Sequence, residues 1–239
     1  MIASYLHNFI FVKTKKTAGT SAEIVMSPWV GPADVVTPMD PRDEILRADF
    51  GGKPQNFGRN RKAERNYMKV ILGEDVAAIR AMRLSSPNRF REHMPARLIR
   101  EELPDLWKVA YKFTIERHPY DKILSRAWMA IRRRQRDQAG ELLSEKIDEV
   151  IERGLALNYP MYMAKDKVLV DRIMPYEQMW KEVAALAQRL GKEMPLYLPQ
   201  AKAQFRRDKR PASEILSAAQ KQRIYEKHAI EFELMGYQR

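Results

Sequence analysis

The sequence predicts an α/β fold, a mainly parallel sheet flanked by helices, in a single domain spanning residues 1–239. Three observations carry that expectation. Apolar segments of strand length alternate along the chain with longer segments of helical periodicity. A hydrophobic share of 45% beside 31% charged residues supplies enough apolar surface for a core and argues against disorder. The first apolar segment runs straight into a glycine-containing turn and then a helix, as a βα unit does.

The elements follow in order. Asn8 to Val12 reads as the first core strand, Lys13 to Gly19 as a loop, and Thr20 to Met26 as a helix. From Pro28 to Gly58 prolines and glycines punctuate the chain, which predicts an irregular excursion with a short helix near Asp43 to Ala48. Irregular segments this long serve more often as functional covers than as plain connections. Arg61 to Met82 is basic and reads as partly helical, and Pro95 to Leu103 fits a helix whose proline sits in the first turn. Lys108 to Glu116 alternates and is rich in aromatics, which suits a strand.

Tyr120 to Arg136 places Ile123, Leu124, Ala127, Trp128 and Ile131 on one helical stripe, and Gln138 to Arg153 repeats the pattern through Leu143, Ile147, Val150 and Ile151. Val168 to Ile173 reads as a strand, and Tyr176 to Leu190 as a helix stopped by Gly191. The last helix, Ser217 to Met235, opens on a capping box of Ser217 and Gln220 and ends before Gly236.

A net charge of +12 and an isoelectric point near 9.8 draw anionic partners. Nucleic acid, an acidic polysaccharide, a membrane surface and a multiply phosphorylated nucleotide all qualify, and composition does not rank them. The absence of cysteine excludes disulfides, a thiolate nucleophile and cysteine metal sites. The four histidines, His7, His93, His118 and His228, form no ligand spacing such as H-E-x-x-H, so no metal is expected. No run of about 18 apolar residues occurs, and Phe9 to Val12 is strand-sized. A soluble, cytoplasmic protein without a transmembrane segment is the expectation.

The chemistry concentrates in Phe9 to Ser21, F-I-F-V-K-T-K-K-T-A-G-T-S. Backbone N–H groups at a helix start have no partners within the helix, so they can cradle phosphate or sulfate oxygens. Gly19 lets the main chain approach an anion, Thr17, Thr20 and Ser21 add hydroxyl donors, and Lys15 or Lys16 adds positive charge. A kinase-type loop would read G-x-x-x-x-G-K and then serine or threonine. Here no glycine precedes Gly19 and the lysines come before it, which weakens a nucleoside-triphosphatase reading. On spacing alone, a plain strand–turn–helix junction with a surface lysine pair competes evenly.

A second segment, F-T-I-E-R-H-P-Y-D-K-I-L-S from Phe113 to Ser125, changes that balance. Together with K-T-A-G-T-S it resembles the paired phosphosulfate motifs of the sulfotransferases that use 3′-phosphoadenosine 5′-phosphosulfate (PAPS). More narrowly, it resembles the carbohydrate-type branch of heparan and chondroitin sulfotransferases and their bacterial homologues. E-H-M-P-A-R at Glu92 to Arg97, V-D-R-I-M-P-Y-E-Q-M at Val170 to Met179, E-F-E-L-M-G-Y at Glu231 to Tyr237 and G-P-A-D-V-V-T-P at Gly31 to Pro38 extend the resemblance over nearly the whole chain. Three positions depart from the usual pattern: Lys15 stands where proline is usual, His118 where asparagine is, and Lys122 where arginine is.

The resemblance implies a P-loop-like three-layer fold and PAPS as sulfuryl donor, with 3′-phosphoadenosine 5′-phosphate (PAP) as product. It implies that Lys16, Thr17, Gly19, Thr20 and Ser21 hold the 5′-phosphosulfate, with Lys15 and Ala18 as further cofactor-binding candidates in the same loop, while Arg117 and Ser125 hold the 3′-phosphate. Lys16 is the expected transition-state cation, with Lys15 its competitor. His93, in the family-like E-H-M-P-A-R segment, is the expected general base for the acceptor hydroxyl. That hydroxyl is expected on a carbohydrate or glycolipid, with the region at about 28–60 covering it. His118 reads as structural or adjacent to the nucleotide, His7 and His228 as surface or packing residues, and Glu177 as structural. The runs Arg132–Arg134 and Arg59/Arg61/Lys62/Arg65 read first as solvated faces. A P-loop kinase, which would need Mg²⁺, and a non-catalytic protein binding nucleic acid are the competing classes; the chain carries no nucleic-acid module, so no nucleic-acid partner is expected.

Overall fold

The computed structural model describes residues 1–62, 64, 65, 77, 89–131, 139–199, 201, 208 and 210–239, the side chains of 139–141 excepted. The Arg132–Arg134 run and most of the basic helix expected over 61–82 lie outside the described residues. The strands are β1 (Ile2–Ser4), β2 (Phe9–Val12), β3 (Val35–Val36), β4 (Tyr111–Glu116), β5 (Met163–Ala164), β6 (Lys167–Val168) and β7 (Arg172–Pro175). The described helices are α1 (Gly19–Met26), α2 (Pro41–Asp49), α3 (Ala96–Glu102), α4 (Pro104–Val109), α5 (Pro119–Ala130), α6 (Ala139–Glu152), α7 (Tyr159–Tyr162), α8 (Met179–Arg189), α9 (Ala212–Ile215), α10 (Ala218–Lys227) and α11 (Ala229–Met235).

Five strands form one sheet in the order β3-β1-β2-β4-β7, and β5 pairs only with β6. β2, β4 and β7 run parallel, with Phe11 opposite Phe113 and Phe113 opposite Arg172. The sheet is mixed, because β1 is antiparallel to both β2 and β3. Its direction follows from the connection. Only residues 5–8 separate β1 from β2, and a parallel partner needs a crossover of a dozen residues or more.

Side chains alternate across β2 and so feed two separate cores. Phe9 and Phe11 pack with Ala22, Val25 and Met26 of α1 and with Val183, Leu186 and Ala187 of α8. Ile10 and Val12 pack with Ala96 and Ile99 of α3, Leu106 of α4 and Tyr162 of α7. Helices therefore lie against both faces of the sheet. A third cluster joins the stripe Ile123, Leu124 and Ala127 of α5 to Leu143, Ile147, Val150 and Ile151 of α6, with Ile224 and Phe232 behind them.

Several boundaries differ from the sequence expectation, each for a local reason. β1 precedes the strand expected to be first, and three residues are too few to display a period. Lys108 and Val109 close α4 instead of opening β4. The strand expected over Val168 to Ile173 is divided: Val168 belongs to the small hairpin, and β7 starts at Arg172, where pairing with β4 begins. Tyr176–Gln178 forms a 3₁₀ turn ahead of α8, and Gly191 follows that helix with φ 63. The tail divides at His228 into α10 and α11, the capping box of Ser217 and Gln220 opening α10.

The excursion after α1 holds more structure than its punctuation suggests. β3 and α2 lie within it, and Gln55 bridges back to Val36. Asp34 fastens its start to the β1–β2 turn by accepting from Ser4 Oγ at 2.7 Å, Tyr5 N at 2.7 Å and Gly31 N at 2.8 Å.

Candidate functional site

Strands β2, β4 and β7 point their carboxyl ends the same way, and the residues singled out in the sequence follow those ends. In open α/β sheets this edge is where ligands bind. The loop Lys13–Ala18 leaves β2, Arg117 follows β4, and Tyr176 follows β7.

The first loop has an unusual backbone. Lys16 and Ala18 are both left-handed, with φ 63 and 56, while Thr17 between them is not. Non-glycine residues avoid that region, and such strain concentrates at functional sites. Alternation of this kind turns successive N–H groups toward one side, the concavity that favours anions. The first intrahelical bond of α1 runs from Ala22 N to Ala18 O at 3.2 Å, so the N–H groups of Gly19, Thr20 and Ser21 take no part in the helical ladder. Gly19 is required for packing as well, since a Cβ there would lie 2.9 Å from Cγ of the buried Lys13.

Side chains in the loop divide between those bound into the framework and one that reaches across to α5. The Thr17 hydroxyl is engaged with Thr14 Oγ1 at 2.9 Å, and Thr14 itself donates to Ile115 O of β4. Lys15 is held by its main chain, which pairs with the Asn158 carboxamide. Lys16 reaches across to α5, where Nζ lies 3.4 Å from Met129 Sδ. Met129 is one turn beyond half-buried Ser125, so the Lys16 amino group and Ser125 share a helix face. Arg117 stacks on the Tyr176 ring with Cζ 4.2 Å from its centroid and lies 3.5 Å from Asp121. Its Nε is buried without a hydrogen-bond partner.

His93 sits beside the same loop although it comes from the segment ahead of α3. Its Nδ1 is 3.1 Å from Lys13 O. A carbonyl only accepts, so Nδ1 carries the proton and Nε2 keeps its lone pair. Burial and then the Lys13 cation lower the imidazole to a pKa of about 4. The ring is therefore neutral around pH 7, with a nitrogen able to take a proton.

Two buried ionic networks stand behind the loop, and the sequence reading singled out neither. Lys13 Nζ, fully buried at the end of β2, bridges Glu23 Oε2 at 2.5 Å and Glu92 Oε1 at 2.6 Å. Glu23 also receives the Met1 amino group, and Arg47 of α2 lies 3.8 Å away. Against its burial, Lys13, Met1 and Arg47 hold the Glu23 carboxyl down to about 2. This network ties the excursion to the loop and to the segment that carries His93.

The second network settles Lys122. That lysine, read in the sequence as a departure from the arginine of the resembled motif, is turned into the interior. Its Nζ is fully buried, 2.7 Å from Glu116 Oε1 and 2.6 Å from Glu231 Oε2. His228 adds a bond to Glu231 and is itself fully buried. Burial pushes the Glu116 carboxyl up, whereas His228 and Lys122 hold Glu231 down to about 2 against the same burial. His118 caps α5 by accepting from Tyr120 N at 3.3 Å and meets Gln238 O at 2.9 Å, while His7 meets Trp29 O at 3.0 Å. Glu177 accepts from Tyr237 OH at 3.1 Å. Arg59, Arg61, Lys62 and Arg65 are exposed.

No family model, curated protein or solved structure matches this chain. Charge in the second network was legible in the sequence only as scattered Lys and Glu, because Glu116 and Glu231 are far apart along the chain. Among the described residues, no helix is long and apolar enough to cross a membrane.

Proposed function

We propose that this protein is a PAPS-dependent sulfotransferase of P-loop-like architecture, transferring a sulfuryl group to a hydroxyl of a carbohydrate or glycolipid. The observation that carries the reading is the convergence of two anion-suited loops on adjacent parallel strands. One has left-handed Lys16 and Ala18 leading into the free N–H groups of α1. The other presents Arg117 with a buried, unpartnered Nε. An unpaired buried guanidinium nitrogen costs free energy unless an acceptor meets it, and a phosphate oxygen is such an acceptor.

Lys16 and the N–H groups of Gly19, Thr20 and Ser21 would hold the 5′-phosphosulfate, and Arg117 with Ser125 the 3′-phosphate. The bound donor supplies an activated sulfuryl group, whose S–O bond to the 5′-phosphate breaks as the acceptor oxygen bonds to sulfur. His93 takes the acceptor proton on Nε2. Lys16 meets the negative charge that the departing phosphate oxygen acquires, a contribution of roughly 3–4 kcal/mol for a well-placed donor.

Thermal shift with PAP, with ATP plus Mg²⁺ and with duplex DNA separates this reading from the kinase and nucleic-acid classes. PAP alone should raise the melting temperature strongly. Transfer from labelled PAPS to a panel of glycans, glycolipids and small alcohols then reads the activity. Lys16→Ala should lower turnover about 100-fold or more on whichever acceptor works. Absence of any shift with PAP would sink the assignment.

A further inference from the structure

Asn158 is fully buried between α6 and α7, and the reaction outlined above makes no use of it. Its carboxamide closes two reciprocal bonds with the main chain of Lys15. Lys15 N donates to Oδ1 at 2.9 Å, and Nδ2 donates to Lys15 O at 2.9 Å. One side chain thus supplies the pairing that a neighbouring strand would give. Nδ2 also reaches Glu116 Oε1 at 3.2 Å, the oxygen that accepts from Arg117 N at 2.9 Å. From behind, Asn158 N donates to Glu231 Oε1 at 2.6 Å, and its carbonyl accepts from Met161 N at 2.7 Å. The main chain of the first loop and that of the second are therefore joined through two side chains, Asn158 and Glu116.

We propose that Asn158 is a positioning residue that sets the spacing between the Lys15–Ser21 loop and Arg117, so that a nucleotide with an anion at each end is gripped by both loops at once. The inference rests on the PAPS reading and adds to it the residue that couples the two half-sites. A ligand held at two points gains from a fixed spacing, whereas a ligand held at one is indifferent to it. The side chain must be an amide. Aspartate would turn an oxygen toward both Lys15 O and Glu116, and glutamine would add a methylene to a filled slot.

Calorimetric titration of the wild type, Asn158→Ala and Asn158→Asp with PAP, 5′-AMP and 3′-AMP tests this. Both variants should lose about tenfold or more in PAP affinity, while the two single-anion ligands change by less than about threefold. The KM for PAPS should rise more than kcat falls. Equal losses for all three ligands, or unchanged PAP affinity, would overturn the positioning role. If the wild type binds no PAP, the sulfotransferase reading fails and takes this inference with it. Should neither variant fold, Asn158→Ser keeps a hydroxyl donor in the slot and bears the same comparison. Hydrogen exchange on the wild type adds a check free of mutation, since the Lys15 amide should be protected and rapid exchange there would refute the clasp.

Discussion

His93 is held by one main-chain carbonyl, and that bond decides which of its nitrogens is available. With Nδ1–H committed to Lys13 O, Nε2, 4.0 Å from Glu92 Oε1, is the nitrogen left for the proposed base, and the lowered pKa keeps it unprotonated through the neutral range. Replacement by glutamine should lower kcat by about 10²–10⁴-fold, the usual span for a general base, and leave PAP affinity nearly unchanged. Steady-state rates at saturating PAPS, together with PAP titration, check both parts. The same residue makes a stability prediction whose sign is fixed. Its folded pKa of about 4 lies below the ordinary 6.5, so between those values the unfolded chain binds the extra proton. His93's share of stability is present above pH 6.5 and lost as pH falls toward 4. Urea unfolding of His93→Gln across that window should show a flatter pH dependence than the wild type; an unchanged slope would mean that the imidazole is not depressed.

α5 and α11 meet through Lys122, and the meeting shows what a sequence reveals about elements and what it hides. Helices with a clear period and a cap were legible: α5 by its stripe, α10 by Ser217 and Gln220, α8 by Gly191. Strands β1 and β3 were not, because three and two residues carry no period and only pairing defines them. The site was legible to the same degree. The loop residues were suggested by type and spacing and Arg117 only by the resemblance of its segment, whereas Asn158, Glu116 and Glu231 acquire meaning only when the fold gathers them. Lys122 read only as a departure from the usual arginine, yet it is the cation that allows two carboxylates to share one buried space. Lys122→Met would leave Glu116 and Glu231 buried and facing each other. Breaking a buried pair from one side costs about 3–5 kcal/mol, so urea denaturation should report a loss of that order. A loss under about 1 kcal/mol would show that the pair is hydrated and that α5 and α11 dock by apolar contact alone.

At the scale of the whole molecule the question is what a net charge of +12 is for. Lys13, Arg47 and Lys122 are buried against carboxylates, so they shape the interior and do not present charge outward. The remaining cations are dispersed over many segments, with Arg59, Arg61, Lys62 and Arg65 exposed on one of them. Dispersed surface charge raises the local concentration of any anion, whereas converging loops select one by geometry. Salt separates these two effects. Binding to a duplex by charge alone releases one counterion per phosphate neutralised, and log K falls with log salt at a slope near −0.9 for each contact. A protein making about 6–10 such contacts loses roughly 10³–10⁵ in affinity between 50 and 200 mM salt. A nucleotide held by backbone N–H groups and a partly buried arginine has few counterions to release and lies where screening is weaker. PAP affinity should therefore fall by less than about tenfold over the same range, while any retention of duplex DNA disappears. Titrations of both ligands at the two salt concentrations decide the matter. A steep slope for PAP would place it on the open cationic surface, and duplex binding that persists at 200 mM salt with a shallow slope would mean that DNA is recognised by more than surface charge, which would overturn the nucleotide reading.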